Sequence, residues 1–356
     1  MTDYCGIRRA LHNNPQTAGN EQFAHQTILA HLQTLHPTKV YANVGGWGVI
    51  AVWGTAPSHP TIALRADTDA LPSGHRCGHD GHTTILMRAA ELIDATPPVD
   101  HNIILIWQPA EETGEGAQLV LGSGIFDTYN IIGIYAMHNL PGYKAGSIVV
   151  CPNTFAAAST GIIYHLEGRQ THASTPELGI NPGLATAEII QRFASLNDNP
   201  SGVFRQSTLI AVRLGAAAFG TSAGEATIMF TLRAFSNSAM QDLLSEANAI
   251  VGEVASKYRL SHSTTLQEPF RATENTASAV EKIKGAAASL SLPVIYRPEP
   301  FRWSEDFAEY LTRYPGAMFG IGSGEQQAEL HHPDYDFPNA IIEPAARMLN
   351  TLALYN

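Results

Sequence analysis

The feature that most constrains this fold is the alternation of short apolar runs with longer segments of helical spacing over the first 150 residues. Each apolar run is bounded by glycine, proline or polar residues, as buried strands are. The runs cover residues 49–53, 61–64, 103–106 and 131–136, and the helical segments cover 21–35, 83–93 and 117–121. Strands that alternate with helices predict an α/β sheet covered by helices.

A different order of elements follows from about residue 158. The pattern predicts strands at 159–167, 207–214, 226–234 and 261–266, and helices at 181–196 and 238–258. The order βαββαβ is that of a ferredoxin-like α+β domain. Residues 273–290 return to a helix and 316–322 to a core strand. We therefore predict a domain of residues 158–268 inserted into a larger one formed by 1–157 and 269–356.

Charge and cysteine content limit which classes of partner and which cellular compartment we expect. The formal net charge is −11 and no block of lysine or arginine is present, so nucleic acid and anionic membranes are poor partners. Residues 1–20 lack the order of a signal peptide, and no run approaches the roughly 20 apolar residues of a membrane span. Cys5, Cys77 and Cys151 are too few for a disulfide framework, which favours a cytoplasmic protein.

The stretch Cys77-Gly78-His79-Asp80-Gly81-His82 places one thiol and two imidazoles within six residues. Ligand atoms this close can hold a metal from one turn of backbone, and the glycines let the backbone approach. A buried apolar thiol is the alternative for Cys77 alone. Seven other histidines lie in polar or helical surroundings, and we expect most of them at the surface: His12, His25, His31, His36, His59, His101 and His262.

Further acids and histidines stand beside glycine or proline at or soon after the apolar runs. They are Asp67, Asp69, Glu111, Glu112, His138, His331 and His332. Open α/β sheets place their sites at such strand ends. Of two adjacent glutamates, one can bind a cation while the other transfers a proton, although for an isolated pair a solvated helix start is the better explanation. Together these segments predict a metal site.

The ordered motifs identify a family. The set RADTDALP (65–72), CGHDGH (77–82), QPAEE (108–112), MHNLPG (137–142), THASTP (171–176), SEDF (304–307) and LHHP (330–333) resembles the aminoacylase and carboxypeptidase G family of metallopeptidases. It is most similar to the amidohydrolase branch, which includes hippurate, indole-acetyl-amino-acid and N-acetyl-amino-acid hydrolases. The resemblance implies a mixed-sheet catalytic domain with helices on both faces. It also implies that the inserted domain is a lid that forms a homodimer.

The resemblance also implies a dinuclear mechanism. The implied metal ligands are Cys77, His79, Glu112, His138 and His331, with Glu111 as the general base. A bridging thiolate with imidazoles suits Zn, Mn, Co or Ni better than Mg or Ca. Two such ions activate a water for attack on an amide. Asp67 and Asp69 would orient the ligands, and Asp80 and His82 either do the same or hydrogen-bond within the loop.

Roles for the inserted domain come from the resemblance as well. His172 would reach an active site across the dimer and stabilise the oxyanion, with a packing role as the alternative. Hinges near residues 157–160 and 266–270 would allow closure. Arg233 is a candidate on its chemistry alone: its guanidinium could anchor a substrate carboxylate, and an ordinary surface arginine is an equal alternative.

Two departures from the family pattern leave the substrate open. The asparagine expected in residues 218–225 is missing, and the loop before Cys77 is cut to residues 73–76. We predict hydrolysis of an N-acyl amino acid. The alternatives are a metal-dependent dipeptidase or carboxypeptidase of the same family, a hydrolase with Cys77 as nucleophile, and a binding protein without catalysis.

Overall fold

The computed structural model describes residues 2–54, 56–197 and 202–354. These residues form two compact units. The first contains the residues up to Phe155, Thr273–Pro300 and the residues from Glu305 onward, and the second contains Ala156–Ala272 and Phe301–Ser304. Among the described residues, no helix has the length and apolar character needed to span a membrane.

Twelve strands and nine α-helices run through the described residues. The strands are β1 Lys39–Val44, β2 Gly48–Trp53, β3 Pro60–Asp67, β4 Asn102–Gln108, β5 Asn130–Pro141, β6 Ile148–Val150, β7 Ala158–Glu167, β8 Arg205–Leu214, β9 Glu225–Ala234, β10 Ser261–Phe270, β11 Val294–Tyr296 and β12 Gly316–Gly324. The helices are α1 Tyr4–His12, α2 Gln22–Leu32, α3 His79–Ala95, α4 Gly116–Leu121, α5 Gly183–Ala194, α6 Asn237–Lys257, α7 Ala277–Ser289, α8 Ala308–Leu311 and α9 Ile342–Leu354.

The first unit is built on an eight-stranded mixed sheet in the order β1-β2-β4-β3-β5-β12-β6-β11. Strands β4, β3, β5 and β12 are parallel neighbours in its centre. On β4, Leu105 and Trp107 belong to the core shared with α3, α7 and α9, while the alternate residues Ile104 and Ile106 are fully buried outside that core. Because successive side chains on a strand point to opposite faces, both faces of this sheet are covered.

The second unit has a four-stranded antiparallel sheet in the order β10-β7-β9-β8. The chain order β7-α5-β8-β9-α6-β10 confirms the predicted ferredoxin-like arrangement. Ile162, Tyr164 and Leu166 alternate along β7 into a core with α5 and α6. The segment Phe301–Ser304 also packs in this unit, far in sequence from its other residues. The proposed lid and dimer roles of the unit stay predictions.

Two local expectations were wrong. Helix α3 begins at His79 rather than at residue 83, so the cysteine and histidine motif stands where a loop becomes a helix. Gly78 caps this helix with φ 97°, and a Cβ there would lie 2.1 Å from the Asn139 side-chain oxygen, so only glycine fits. Three histidines expected at the surface are buried and bind backbone carbonyls: His25 to Trp47, His31 to Met87 and His101 to Ala353.

Candidate metal centre and active site

The strand ends of the central sheet bring the chemistry-bearing side chains together. Asp67 ends β3, Gln108 ends β4 and His138 lies near the end of β5. Parallel strands end at one edge of a sheet, so these segments meet there. Ligand atoms lie within 4.8 Å of one another in three overlapping groups: Cys77–His79–His138, Cys77–Glu112–His331 and His79–Glu111–Glu112. The structure therefore brings together all six residues predicted as ligands or base.

Five of these residues form what we call the ligand cluster: Cys77, His79, Glu112, His138 and His331. Within it, the Nδ1 atom of His79 lies 3.0 Å from the Asp69 carbonyl, and that of His138 lies 2.8 Å from the Asn139 carbonyl. Each Nδ1 is thus the donor, which leaves the Nε2 lone pair directed toward the cluster. The Cys77 Sγ is 3.6 Å from the His138 Nε2.

Several buried polar atoms at the centre of this cluster have no hydrogen-bond partner among the described residues. They include the His79 Nε2, the Glu112 Oε1 and the Asp69 Oδ1. The His79 Nε2 lies 3.8 Å from the Glu112 Oε1 and 3.9 Å from the Glu111 Oε2. Buried polar atoms are normally satisfied, and these are the atom types that ligate divalent cations. The residues present therefore fit a metal centre.

His82 lies beside the cluster but is fully engaged elsewhere. Its Nδ1 is 2.7 Å from the Asp67 Oδ1, and its Nε2 accepts a hydrogen bond from the Asn139 N–H at 3.1 Å. No lone pair is left for a metal, although Asp67, His79 and His82 are close enough to suggest one. Asp80 likewise binds Arg8 at 3.2 Å and His12 at 2.9 Å. Both contacts favour a supporting role for these two motif residues.

Asp69 connects the two ligand-bearing segments. Its Oδ2 accepts a hydrogen bond from the Glu112 N–H at 2.9 Å, and its Oδ1 lies 3.5 Å from the His79 Nδ1. Asp69 is fully buried. Asp69 thus supports its predicted orienting role in two ways: its carbonyl accepts the hydrogen bond from the His79 Nδ1, and its carboxylate holds the Glu112 N–H.

A second group, the carboxylate–arginine cluster, lies next to Glu111 and contains Arg65, Asp67, Glu305 and Asp306. The Arg65 guanidinium donates to Asp67 at 2.6 Å, to Glu305 at 2.9 Å and to Asp306 at 2.7 Å. All four side chains are buried. Sequence reasoning gave Arg65, Glu305 and Asp306 no role, although the motifs RADTDALP and SEDF contain them.

The buried surroundings of these two clusters raise the pKa of several carboxyl groups. Burial, and then the charges of Glu305 and Asp306, raise the pKa of Glu111 well above its ordinary value. Burial also raises the pKa of Glu112 to about 7. The pKa of Asp306 is raised to about 8, again mainly by burial. A carboxyl with a raised pKa keeps its proton at a higher pH than an ordinary carboxyl does, which suits a group that must hold a proton during acid–base catalysis.

The remaining predicted residues lie in different settings. His331 is exposed, has φ 68°, and is anchored by its N–H on the Arg76 carbonyl at 2.8 Å. In the second unit, the Nδ1 of the exposed His172 is 2.7 Å from the Ser174 hydroxyl. Arg233 donates to the Arg302 carbonyl at 2.7 Å. The catalytic role of His172 and the substrate role of Arg233 stay predictions.

Comparison with known proteins adds an independent finding. Residues 63–355 match the family described as Peptidase family M20/M25/M40. The chain is 27% identical to an N-acetyldiaminopimelate deacetylase of Bacillus subtilis, with 98% of this chain and 97% of the relative covered. It is 27% identical to the IAA-amino acid hydrolase ILR1-like 4 of Arabidopsis thaliana, with coverage of 98% and 84%.

A solved structure has the same fold. A dinuclear metal-binding peptidase from the M20 family of Bacillus subtilis superposes with a TM-score of 0.85 at 24% identity. The match covers 99% of this chain and 96% of that one.

Proposed function

Because the chain belongs to Peptidase family M20/M25/M40 and is a metal-dependent hydrolase of amide bonds, we propose that it cleaves the amide bond of N-acyl amino acids. The deacetylase and the amino acid hydrolase that it resembles carry names of that substrate class. The observation that carries the proposal is the position of Glu111, a buried glutamate beside both the ligand cluster and the carboxylate–arginine cluster. A binding protein needs the ligands but not this base.

The ligand cluster would hold two divalent ions. Cys77 is common to two of the overlapping groups, which supports a thiolate shared between two ions. The mixture of thiolate, imidazole and carboxylate favours Zn, Mn, Co or Ni. Bound ions would supply Lewis acidity to the amide carbonyl and to water. His79 and His138 are oriented for this by the Asp69 and Asn139 carbonyls.

Glu111 would act as the general base and then as the general acid. Its buried carboxylate lies within reach of the same space as Glu112 and His79. It would take a proton from water during attack and deliver that proton to the departing amine. The raised pKa of Glu111 supports the second step, because the carboxyl would keep the proton taken from water until the amine departs.

The second unit would complete the site. In this proposal His172 donates a hydrogen bond to the developing oxyanion from the other subunit of a homodimer. Arg233 would contact a substrate carboxylate. A cytoplasmic location belongs to the same proposal, because a reducing compartment keeps Cys77 out of disulfides and available as a metal ligand.

The alternative of a Cys77 nucleophile is disfavoured by the environment of the thiol. Burial raises the pKa of Cys77 to about 12, whereas a nucleophilic cysteine has a lowered pKa. A thiol mechanism would also leave Glu111 and Glu112 without a function.

The test is a substrate panel on Mn- and Zn-loaded protein: acetyl, benzoyl and indole-acetyl amino acids, with dipeptides as the competing class. We expect turnover of at least one N-acyl amino acid that EDTA abolishes and added Mn or Zn restores. Brief alkylation of the metal-loaded form should have little effect. Turnover of dipeptides alone would favour the peptidase alternative, and turnover of nothing would favour a binding protein.

A further inference from the structure

Ala110, the residue before the glutamate pair, has an unusual backbone conformation. Its φ is 55°, in the left-handed region that residues with a Cβ rarely adopt, and its side chain is buried. The chain turns at this residue immediately after β4 ends at Gln108. The turn is what presents two successive glutamates, Glu111 and Glu112, to one space. Such a conformation persists only where the surroundings enforce it.

Glu21 supplies an enforcing contact from 89 residues away. Its Oε1 accepts a hydrogen bond from the Ala110 N–H at 2.9 Å. Glu21 is the N-cap residue of α2, yet its side chain makes no capping hydrogen bond to that helix. It is fully buried, and its Oε2 has no protein partner among the described residues. Burying a carboxylate in this way is costly, so its contact with Ala110 calls for a function.

The other side of the turn is held as well. The Glu112 N–H donates to the Asp69 Oδ2 at 2.9 Å, and the Gly116 N–H donates to the Ala110 carbonyl at 3.0 Å. Glu111 therefore lies between two anchored peptide groups, one fixed by Glu21 and one by Asp69. Displacement of either anchor moves the base relative to the ligand cluster.

We infer that Glu21 is a positioning residue for the reaction: by holding Ala110 in its left-handed conformation, it sets the placement of Glu111. This inference rests on the proposed function of Glu111. Among the described residues, Glu21 makes no hydrogen bond to the ligand cluster or to Glu111, and it acts through the backbone of Ala110. The role depends on an acceptor oxygen at the right reach, and not on the charge.

The test compares Glu21→Ala with the matched variant Glu21→Gln, whose amide oxygen accepts the same hydrogen bond. Both are measured at saturating metal with the N-acyl amino acid that the wild type hydrolyses. We expect Glu21→Ala to lose about tenfold to hundredfold in kcat, with KM within about twofold, because a small misplacement of a catalytic group has effects of that size. Glu21→Gln should keep most of the activity. Metal content, measured by mass spectrometry, should be retained in both.

A double variant separates this role from simple destabilisation. Glycine adopts a positive φ without a Cβ penalty, so Glu21→Ala combined with Ala110→Gly should recover part of the lost kcat. If Glu21→Ala does not fold, Glu21→Asp replaces it, because the shorter side chain keeps the charge and loses the reach. Glu21→Asp should then fall below Glu21→Gln.

Three results would overturn the inference. These are an unchanged kcat in Glu21→Ala or its replacement Glu21→Asp, equal losses in that variant and in Glu21→Gln, and no recovery in the background of Ala110→Gly. Failure of the proposed function is distinguishable, because the wild type itself would then hydrolyse no amide in the panel.

Discussion

The ligand cluster and the carboxylate–arginine cluster adjoin each other but differ in how their buried polar groups are compensated. In the ligand cluster, the His79 Nε2 and the Glu112 Oε1 are buried and have no hydrogen-bond partner among the described residues. In the carboxylate–arginine cluster, the guanidinium of Arg65 binds three carboxylates. One cluster therefore needs an external cation to be satisfied, whereas the other contains its own.

Glu111 lies where the two clusters meet, and this position contributes to its raised pKa. It is grouped with His79 and Glu112 on one side and with Glu305 and Asp306 on the other. Burial, and then the carboxylates of the second group, raise the pKa of Glu111, while His79 opposes that rise. In the proposed function, the ligand cluster would bind the cations and the carboxylate–arginine cluster would set the electrostatic surroundings of the base. Two variants can break or sharpen this division, and a third, outside both clusters, provides a baseline.

The largest effect is expected from Arg65→Met. Removing the guanidinium leaves Asp67, Glu305 and Asp306 buried without their cation, and breaking a buried ion pair costs about 3–5 kcal/mol. The free energy of unfolding of the metal-free protein, measured by urea titration, should fall by about that amount. Arg65→Lys should fall less, because it keeps the charge but loses the fork geometry.

The matched control is Arg347→Met on α9, where the arginine is largely exposed and pairs with Glu343. A surface change of this kind should stay within about 0.5 kcal/mol. Equal losses in the two variants would mean that the carboxylate–arginine cluster is not held together by Arg65.

A smaller effect, on metal affinity, is expected from Asp69→Asn, because Asp69 supports residues of the ligand cluster. An asparagine places its NH₂ group either toward His79 or against the Glu112 N–H, and an NH₂ group accepts a hydrogen bond from neither. Loss of such an orienting partner typically weakens metal binding tenfold to a hundredfold. Competition with a chromogenic chelator should reveal that loss, while the exposed control Asp127→Asn should bind metal as the wild type does. Unchanged affinity in Asp69→Asn would remove Asp69 from the support of the ligands.

The smallest effect concerns His31, which lies on α2 outside both clusters and provides a baseline for pH dependence. Burial lowers the pKa of His31 below its ordinary value of 6.5. As the pH falls below 6.5, the unfolded chain therefore binds a proton that the folded chain refuses. The free energy of unfolding of the metal-free protein should decline over this range, until the pH reaches the lowered pKa.

The variant His31→Gln should make that decline shallower, as measured by urea unfolding at a series of pH values below 6.5. The exposed His262 offers the control His262→Gln, which should leave the slope unchanged. An identical slope in wild type and His31→Gln would show that this buried histidine does not contribute to acid sensitivity.

The two clusters also differ in how far sequence could predict them. A cysteine and a histidine on either side of a glycine are rare, so Cys77 and His79 indicate a metal site from the sequence alone. The alternation of strands and helices then predicts the edge where Glu112 and His138 meet. Arginine and acidic residues are common at surfaces, so nothing in the sequence alone marks Arg65 or Glu305 as buried.

Long-range partners account for what sequence reasoning missed. The buried state of His31 depends on the Met87 carbonyl, 56 residues away, and Ala110 depends on Glu21. The early start of α3 depends on Gly78, whose space is limited by Asn139. Periodicity describes one segment at a time, and these features arise from pairs of segments that only the fold brings together.

The most direct test of the account compares two adjacent, chemically identical substitutions, Glu111→Gln and Glu112→Gln. If Glu111 is the base and Glu112 a ligand, Glu111→Gln should lose on the order of a hundredfold or more in kcat while its metal content per chain is unchanged. Glu112→Gln should lose metal together with activity. Metal content by mass spectrometry and kcat on the same preparations decide the matter. Loss of metal in Glu111→Gln with full retention in Glu112→Gln would contradict the assignment.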